Sequence, residues 1–206
     1  MKTEDAYNQW ANTYDSVVNK TRDLEAKAIR RVIGKLKFRK ITEVGCGTGK
    51  NTPWLAKKAS HLIAVDFSKD MLKQAKQKIK AINVGFVQAD ITKSWKWKKT
   101  NLVTASLILE HVKDIGFVFK QAAATLKKRG VFYVCELHPY KQLAGSRAKF
   151  EQDGKLLELD YYIHHISDYT SAAKNAGFIC EDLREWFDED NRKQTPRLVS
   201  FLFRRK

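Results

Sequence analysis

Hydrophobic positions along this chain switch between a helical and an extended period. Residues 5–40 carry helical spacing, and within Asp23–Leu36 the residues Leu24, Ala28, Val32 and Leu36 fall on one stripe. Ile41–Val44 then predicts a short strand, broken at once by the run GCGTGKNT, after which Pro53–Lys58 returns to helix. His61–Val65 is a second β-rich run ending at Asp66, and Ser68 is placed to cap a basic helix over Lys69–Lys80. Asn83–Gln88 predicts a third strand, and the apolar run Leu102–Leu109 a central strand buried on both faces. Asp114–Lys128 predicts a helix closed by Arg129–Gly130, followed by a fifth strand, Val131–Leu137, stopped at His138–Pro139. After an irregular stretch come a helix over Ser167–Asn175 ended by Gly177, then two strands, Phe178–Trp186 and Leu198–Phe203.

Strands alternating with helices in this order predict an α/β fold with a parallel sheet covered on both faces. In such sheets ligands bind beyond the carboxyl ends of the strands, beside the point where strand order reverses. The unusual residues here all follow predicted strands: Gly45–Gly49, Asp66, Asp90, Ser106–His111 and Glu136–His138. That placement narrows the function to chemistry on a bound small cofactor.

Composition adds bounds. A chain of 206 residues with no internal repeat and no Gly/Ser/Pro linker is expected to be a single domain. A hydrophobic content of 43% with only 3 Pro and 10 Gly excludes a disordered or collagen-like chain. No apolar run approaches the ~18 residues of a membrane span, and MKTEDAYNQW lacks the apolar core of a signal peptide. A soluble, cytoplasmic protein is expected. Cys46, Cys135 and Cys180 are too few and too scattered for a disulfide framework or a zinc site.

Charge changes the picture more. The net charge is +16, yet residues 151–190 hold eleven acids against three bases, a net of −8, so the remainder carries +24. A field of that sign attracts anionic partners, nucleic acid among them; lysines spread along solvated helices give the same number without any partner.

The glycine run decides among cofactors. A phosphate-binding loop needs Gly five residues before the Gly-Lys pair and Ser or Thr after it; here those positions are Val44 and Asn51. A dinucleotide fingerprint, G-x-G-x-x-G, fails as well, because the third position falls on Lys50 or Thr52. What remains is Glu43-x-Gly45-x-Gly47-x-Gly49. ITEVGCGTGKNT resembles the first motif of class I S-adenosylmethionine-dependent methyltransferases, and Asp66 matches the acid ending their second strand. QADI (Gln88–Ile91) is similar to the segment that meets adenine. LILEHVKD (Leu107–Asp114) resembles the fourth motif of the type 11 subgroup, which includes quinone-biosynthesis enzymes, and YNQWANTYD (Tyr7–Asp15) its lid. The resemblance spans nearly the whole chain, weakening across Tyr140–Tyr162.

The resemblance implies a Rossmann-like seven-stranded sheet, mostly parallel with its last strand antiparallel, a lid within residues 1–36 and a substrate-side insertion over 138–166. It implies S-adenosylmethionine as cofactor and S-adenosylhomocysteine as product. Glycines 45, 47 and 49 let the backbone turn and approach the ligand closely. Asp66 can accept both ribose hydroxyls, Asp90 and the Ile91 N–H suit the adenine edge, and Phe67 and Met71 offer apolar surface. Glu43 and the backbone near Ser106 are implied to hold the methionyl ammonium, with Cys46 in the loop, His111 packed beneath the site and Tyr14 in the lid.

Methyl transfer from a sulfonium has an activated leaving group, so alignment supplies most of the rate and the family has no universal catalytic residue. Candidate bases are His138, just past the fifth strand, and the pair His164 and His165. The expected acceptor is a small molecule methylated at O, N or C. One alternative is an RNA methyltransferase using the basic surface, with Trp95 and Trp97 between lysines as a stacking platform; another is a cofactor-binding protein without catalysis.

Overall fold

The computed structural model describes residues 3–152 and 155–206. In chain order the elements are α1 (Thr3–Trp10), α2 (Lys20–Ile33), β1 (Lys40–Val44), α3 (Thr52–Ala56), β2 (His61–Asp66), α4 (Lys69–Lys78), β3 (Val84–Gln88) and β4 (Thr100–Ser106). There follow α5 (Ile115–Thr125), β5 (Leu126–Leu137), α6 (Pro139–Leu143), β6 (Lys149–Gln152), β7 (Lys155–Glu158), α7 (Ile166–Asn175), β8 (Phe178–Trp186) and β9 (Leu198–Arg205). Seven strands form one sheet in the order β3-β2-β1-β4-β5-β9-β8, and β6 pairs with β7 in a separate ribbon. Pairing is parallel from β3 through β5, while β9 runs antiparallel to both β5 and β8. The chain moves outward from β1 to β3 and then returns to lay β4 on β1's other side. That reversal leaves a crevice at the carboxyl ends of β1 and β4.

Period-2 alternation divides the core. Phe132 and Val134 of β5 face Phe119 of α5 and the aromatic rings of Phe178 and Phe203. Val131, Tyr133 and Cys135 face the opposite way, toward Ile29 and Ile33 of α2 and Leu55 of α3. Among the described residues no helix is long and apolar enough to cross a membrane.

Five expectations need correction. Residues 5–40 are not one helix: the chain breaks between Trp10 and Lys20, and Asn19 caps α2 by accepting from the Arg22 N–H. The face α2 buries is turned from the expected stripe, with Ala28, Ile29 and Ile33 fully covered while Leu24, Val32 and Leu36 are half-buried. The strand expected over Leu102–Leu109 stops at Ser106, because Leu107 takes a left-handed φ of 57° and the Glu136 carboxylate draws in the N–H groups of Ile108 and Leu109, each at 3.1 Å. The helix over Asp114–Lys128 ends at Thr125, and Leu126 enters β5 opposite Thr100. The stretch expected to be irregular carries α6 and the β6–β7 ribbon.

Candidate functional site

A cleft opens at the carboxyl ends of β1, β2 and β4, and α1 lies over it. Its floor is the glycine loop. Gly45 has φ +69°, and a Cβ there would lie 2.2 Å from Ile108 Cγ2, so this turn fits only glycine. Gly47, at φ +54°, lines the cleft with nothing within 4 Å of where its Cβ would be, leaving space for a ligand against the backbone. Gly49 does not line the cleft; its missing Cβ makes room for Ile79 Cδ1 at 2.4 Å. Cys46 lines the cleft, and burial pushes its thiol well above the ordinary range, so it is an inert small side chain.

Asp66 ends β2 with both carboxylate oxygens tied to backbone, Oδ2 to the Gly47 N–H at 2.7 Å and Oδ1 to the Ser68 N–H at 2.9 Å. Each oxygen keeps a second lone pair for a ligand. Burial pushes its pKa up to about 6. Glu43 is raised to about 8, by burial first and by the nearby Glu25 and Asp66 charges, against the Thr52 hydroxyl bond at 2.6 Å that lowers it. Glu25, on the buried face of α2, accepts from Asn51 Nδ2 and from the Ser106 hydroxyl, both at 2.7 Å, and burial raises its pKa too.

Among the described residues, two polar atoms in the wall lack a protein partner: Arg22 Nε and Asn51 Oδ1. The other Arg22 nitrogens hold the carbonyls of Tyr14 and Val17 at 2.7 and 2.9 Å, and the guanidinium lies 4.0 Å from the Tyr14 ring centroid. A buried donor and a buried acceptor in one cleft wall complement an amino-acid head group, which has one carboxylate and one ammonium. The cleft's carboxylates likewise suit a cationic ligand with ribose hydroxyls. These features fit S-adenosylmethionine. Of this group the sequence singled out Glu43, Asp66 and Ser106; it missed Arg22, Glu25 and Asn51. The available signal was the spacing of Glu25, Ile29 and Ile33 by four, which puts an acid on a buried helical stripe.

The other end of the cleft is less polar. Phe67, Met71, Asp90 and Ile91 line it, while Tyr14 lines the cleft at the Arg22 end. Asp90 is exposed, with Oδ1 accepting both the N–H and the hydroxyl of Thr92 at 2.8 and 2.6 Å. His111 stands in the wall rather than beneath the site. Its Nδ1 lies 2.8 Å from the carbonyl of Asp160, which can only accept, so Nδ1 carries the proton. Nε2 is then a free lone pair and accepts from the Tyr7 hydroxyl at 2.9 Å. Burial holds the Tyr7 phenol protonated by raising its pKa well above 10.

The three histidines expected as bases lie elsewhere. His138 is fully buried outside the cleft wall; its Nδ1 accepts from the Tyr140 N–H at 3.2 Å, capping α6, and Nε2 bonds Glu185 at 3.1 Å. Both nitrogens are committed to structure. Burial lowers its pKa, opposed by the Glu185 carboxylate. His164 is buried with Nε2 donating to the Val112 carbonyl at 2.8 Å, and exposed His165 precedes α7, its N–H held by Asp168.

Comparison with known proteins agrees with this geometry. Residues 42–134 match the family described as methyltransferase domain. A trans-aconitate 2-methyltransferase from Afipia carboxidovorans is 30% identical over 85% of this chain and 66% of its own length. A demethylmenaquinone methyltransferase from Tropheryma whipplei is 24% identical over 89% of this chain and 77% of that one. An S-adenosylmethionine-dependent methyltransferase from Mesorhizobium loti shares the fold at a TM-score of 0.75 and 20% identity, over 88% of this chain and 98% of that one. The N-methyltransferase NodS of Bradyrhizobium japonicum, in complex with S-adenosylhomocysteine, superposes at 0.75 and 12% identity over 100% of this chain and 99% of its own. Residues 42–134 of this chain form a methyltransferase domain, on a fold shared with S-adenosylmethionine-dependent methyltransferases.

Proposed function

We propose that this enzyme methylates a small-molecule acceptor whose nucleophile loses a proton, a hydroxyl or an amine, with His111 Nε2 receiving that proton directly or through the Tyr7 hydroxyl. The observation that carries this reading is the chain Asp160 carbonyl–His111–Tyr7 in the cleft wall, which fixes the tautomer that leaves Nε2 basic. The bound cofactor supplies a methyl group on a sulfonium, ready for displacement. The residues supply orientation: Arg22 Nε for the head-group carboxylate, Asn51 Oδ1 with Glu25 and Glu43 for the ammonium, Asp66 for the ribose and Asp90 with Ile91 for the adenine edge.

A small acceptor is favoured over RNA by the roof. Ala6, Trp10 and Ala11 near the N-terminus pack with Met71 and with Leu159 of the insertion, forming one apolar cluster above the cleft. Of the lid expected over residues 1–36, α2 belongs to the core; we read α1 with the segment up to Asn19 as the lid and residues 138–166 as the acceptor-side wall, closing water out. A polynucleotide acceptor needs an open path for a flipped base. Trp95 and Trp97 are half-buried against the core with their rings 5.0 Å apart and tilted at 31°, which suits a sheet cover better than a base platform. The test is a screen of metabolite pools beside total tRNA with labelled S-adenosylmethionine. Label in a small amine or alcohol supports the reading, and label in tRNA at physiological salt overturns it.

A further inference from the structure

The crossover from β3 to β4 contains no helix. Residues 89–99 pass over the sheet with Ala89, Ile91, Trp95 and Trp97 packed against its core. A cleft results at the end of the sheet opposite the cofactor site, lined by Lys40, Thr42, His61, Ile63, Lys98 and Lys99, with Ile41 and Thr100 beside them. Among the described residues no acidic one lines it. Among the described residues none of these three lysines is in an ion pair.

Thr42 makes this more than a patch of lysines. It is wholly buried in the cleft's floor, yet its hydroxyl has no hydrogen-bond partner among the described residues. Thr100, by contrast, spends its hydroxyl on the Lys40 carbonyl at 2.6 Å. A buried hydroxyl without a partner is costly and uncommon, and one beside a cavity points to a ligand atom. That atom must accept a hydrogen bond and belong to a group that three ammonium groups and an imidazole attract.

We propose that this cleft is a second binding site and takes a phosphate group, free or as the monoester of a small molecule, the Thr42 hydroxyl donating to one phosphate oxygen. A phosphate dianion offers acceptors in several directions and a charge that several lysines can share. Half-buried Ile63 gives an ester's carbon skeleton apolar surface.

The site is independent of the acceptor chemistry, so the test uses the full chain with S-adenosylhomocysteine present and absent. Inorganic phosphate and methyl phosphate are titrated at ionic strength held constant with chloride, read by phosphorus NMR and by the thermal midpoint. Saturable binding is expected, weakened about tenfold in Lys98→Gln/Lys99→Gln and in Thr42→Val, with S-adenosylhomocysteine affinity unchanged. Thr42→Val is isosteric and removes an unsatisfied hydroxyl, so it folds as well as the parent. Tighter binding of methyl phosphate assigns the site to an ester, and the reverse order to free phosphate. Non-saturating binding, or equal binding by Thr42→Val, overturns the proposal. So does binding of a single-stranded oligonucleotide alone.

Discussion

Asp66 and Glu43 tie cofactor binding to pH. Burial holds their carboxyls near 6 and near 8 in the folded protein without ligand, above the roughly 4 of an unfolded chain. A folded-state pKa raised in this sense means the native state keeps a proton the unfolded chain has lost. Stability from these groups therefore falls as pH rises from about 4 through their folded values. Cationic and hydroxyl partners favour the ionised forms, so binding releases protons. The affinity for S-adenosylhomocysteine should tighten from pH 5 to 7, with proton release visible when calorimetry is repeated in buffers of different ionisation enthalpy. An affinity flat across that range would place both carboxylates out of contact with the ligand.

The same scale separates the histidines. His111→Gln should lower kcat about 10²-fold while cofactor affinity holds within a few-fold, because it removes the proton acceptor and leaves the head-group and ribose contacts. Tyr7→Phe should follow it in direction. His138→Gln should instead lower the thermal midpoint with kcat little changed, since the ring caps α6 and pairs with Glu185. A kcat loss confined to His138→Gln would reverse these roles.

Among the elements, α2 shows what a sequence reveals and what it hides. Its existence is written in its period, but the face it buries is set by docking against β1, β4 and β5, which no local pattern encodes. The expected stripe was off by about one residue, and with it went Glu25, the acid that ties Ser106 to Asn51. Ile29→Ala should therefore cost about 2–5 kcal/mol of stability, and Leu24→Ala distinctly less, by chemical denaturation. Equal costs would restore the expected face. The strand ends from β1 to β3 were legible because Gly, Asp and Ser mark them. Those of β4 and α5 were not: a carboxylate 27 residues away along the chain ends β4, and strand pairing pulls Leu126–Lys128 out of a helical pattern. The cofactor loop was legible because its glycines are demanded locally. The proposed base was not, since the hydrogen bonds that set the His111 tautomer come from Tyr7 and Asp160, which are remote in sequence.

At the scale of the whole molecule, charge is divided. The acidic stretch 151–190 includes β8, at one edge of the sheet, while the lysine-rich helix α4 lies toward β3 at the other. A surface of that kind binds polyanions by counterion release, so RNA affinity should fall linearly in log–log terms with salt and vanish near physiological ionic strength. Salt-resistant RNA binding would promote the nucleic-acid reading. The central claim is that the cleft at the carboxyl ends of β1, β2 and β4 is built for S-adenosylmethionine, with Asp66 on the ribose. Its most direct test is a calorimetric titration of the parent and of Asp66→Asn with S-adenosylhomocysteine, NAD and ATP. The account predicts one site for S-adenosylhomocysteine, weakened roughly 5- to 150-fold in Asp66→Asn for about 1–3 kcal/mol of lost hydrogen bonding, and no binding of NAD or ATP. Equal affinity in the variant, or tight binding of NAD, would contradict it.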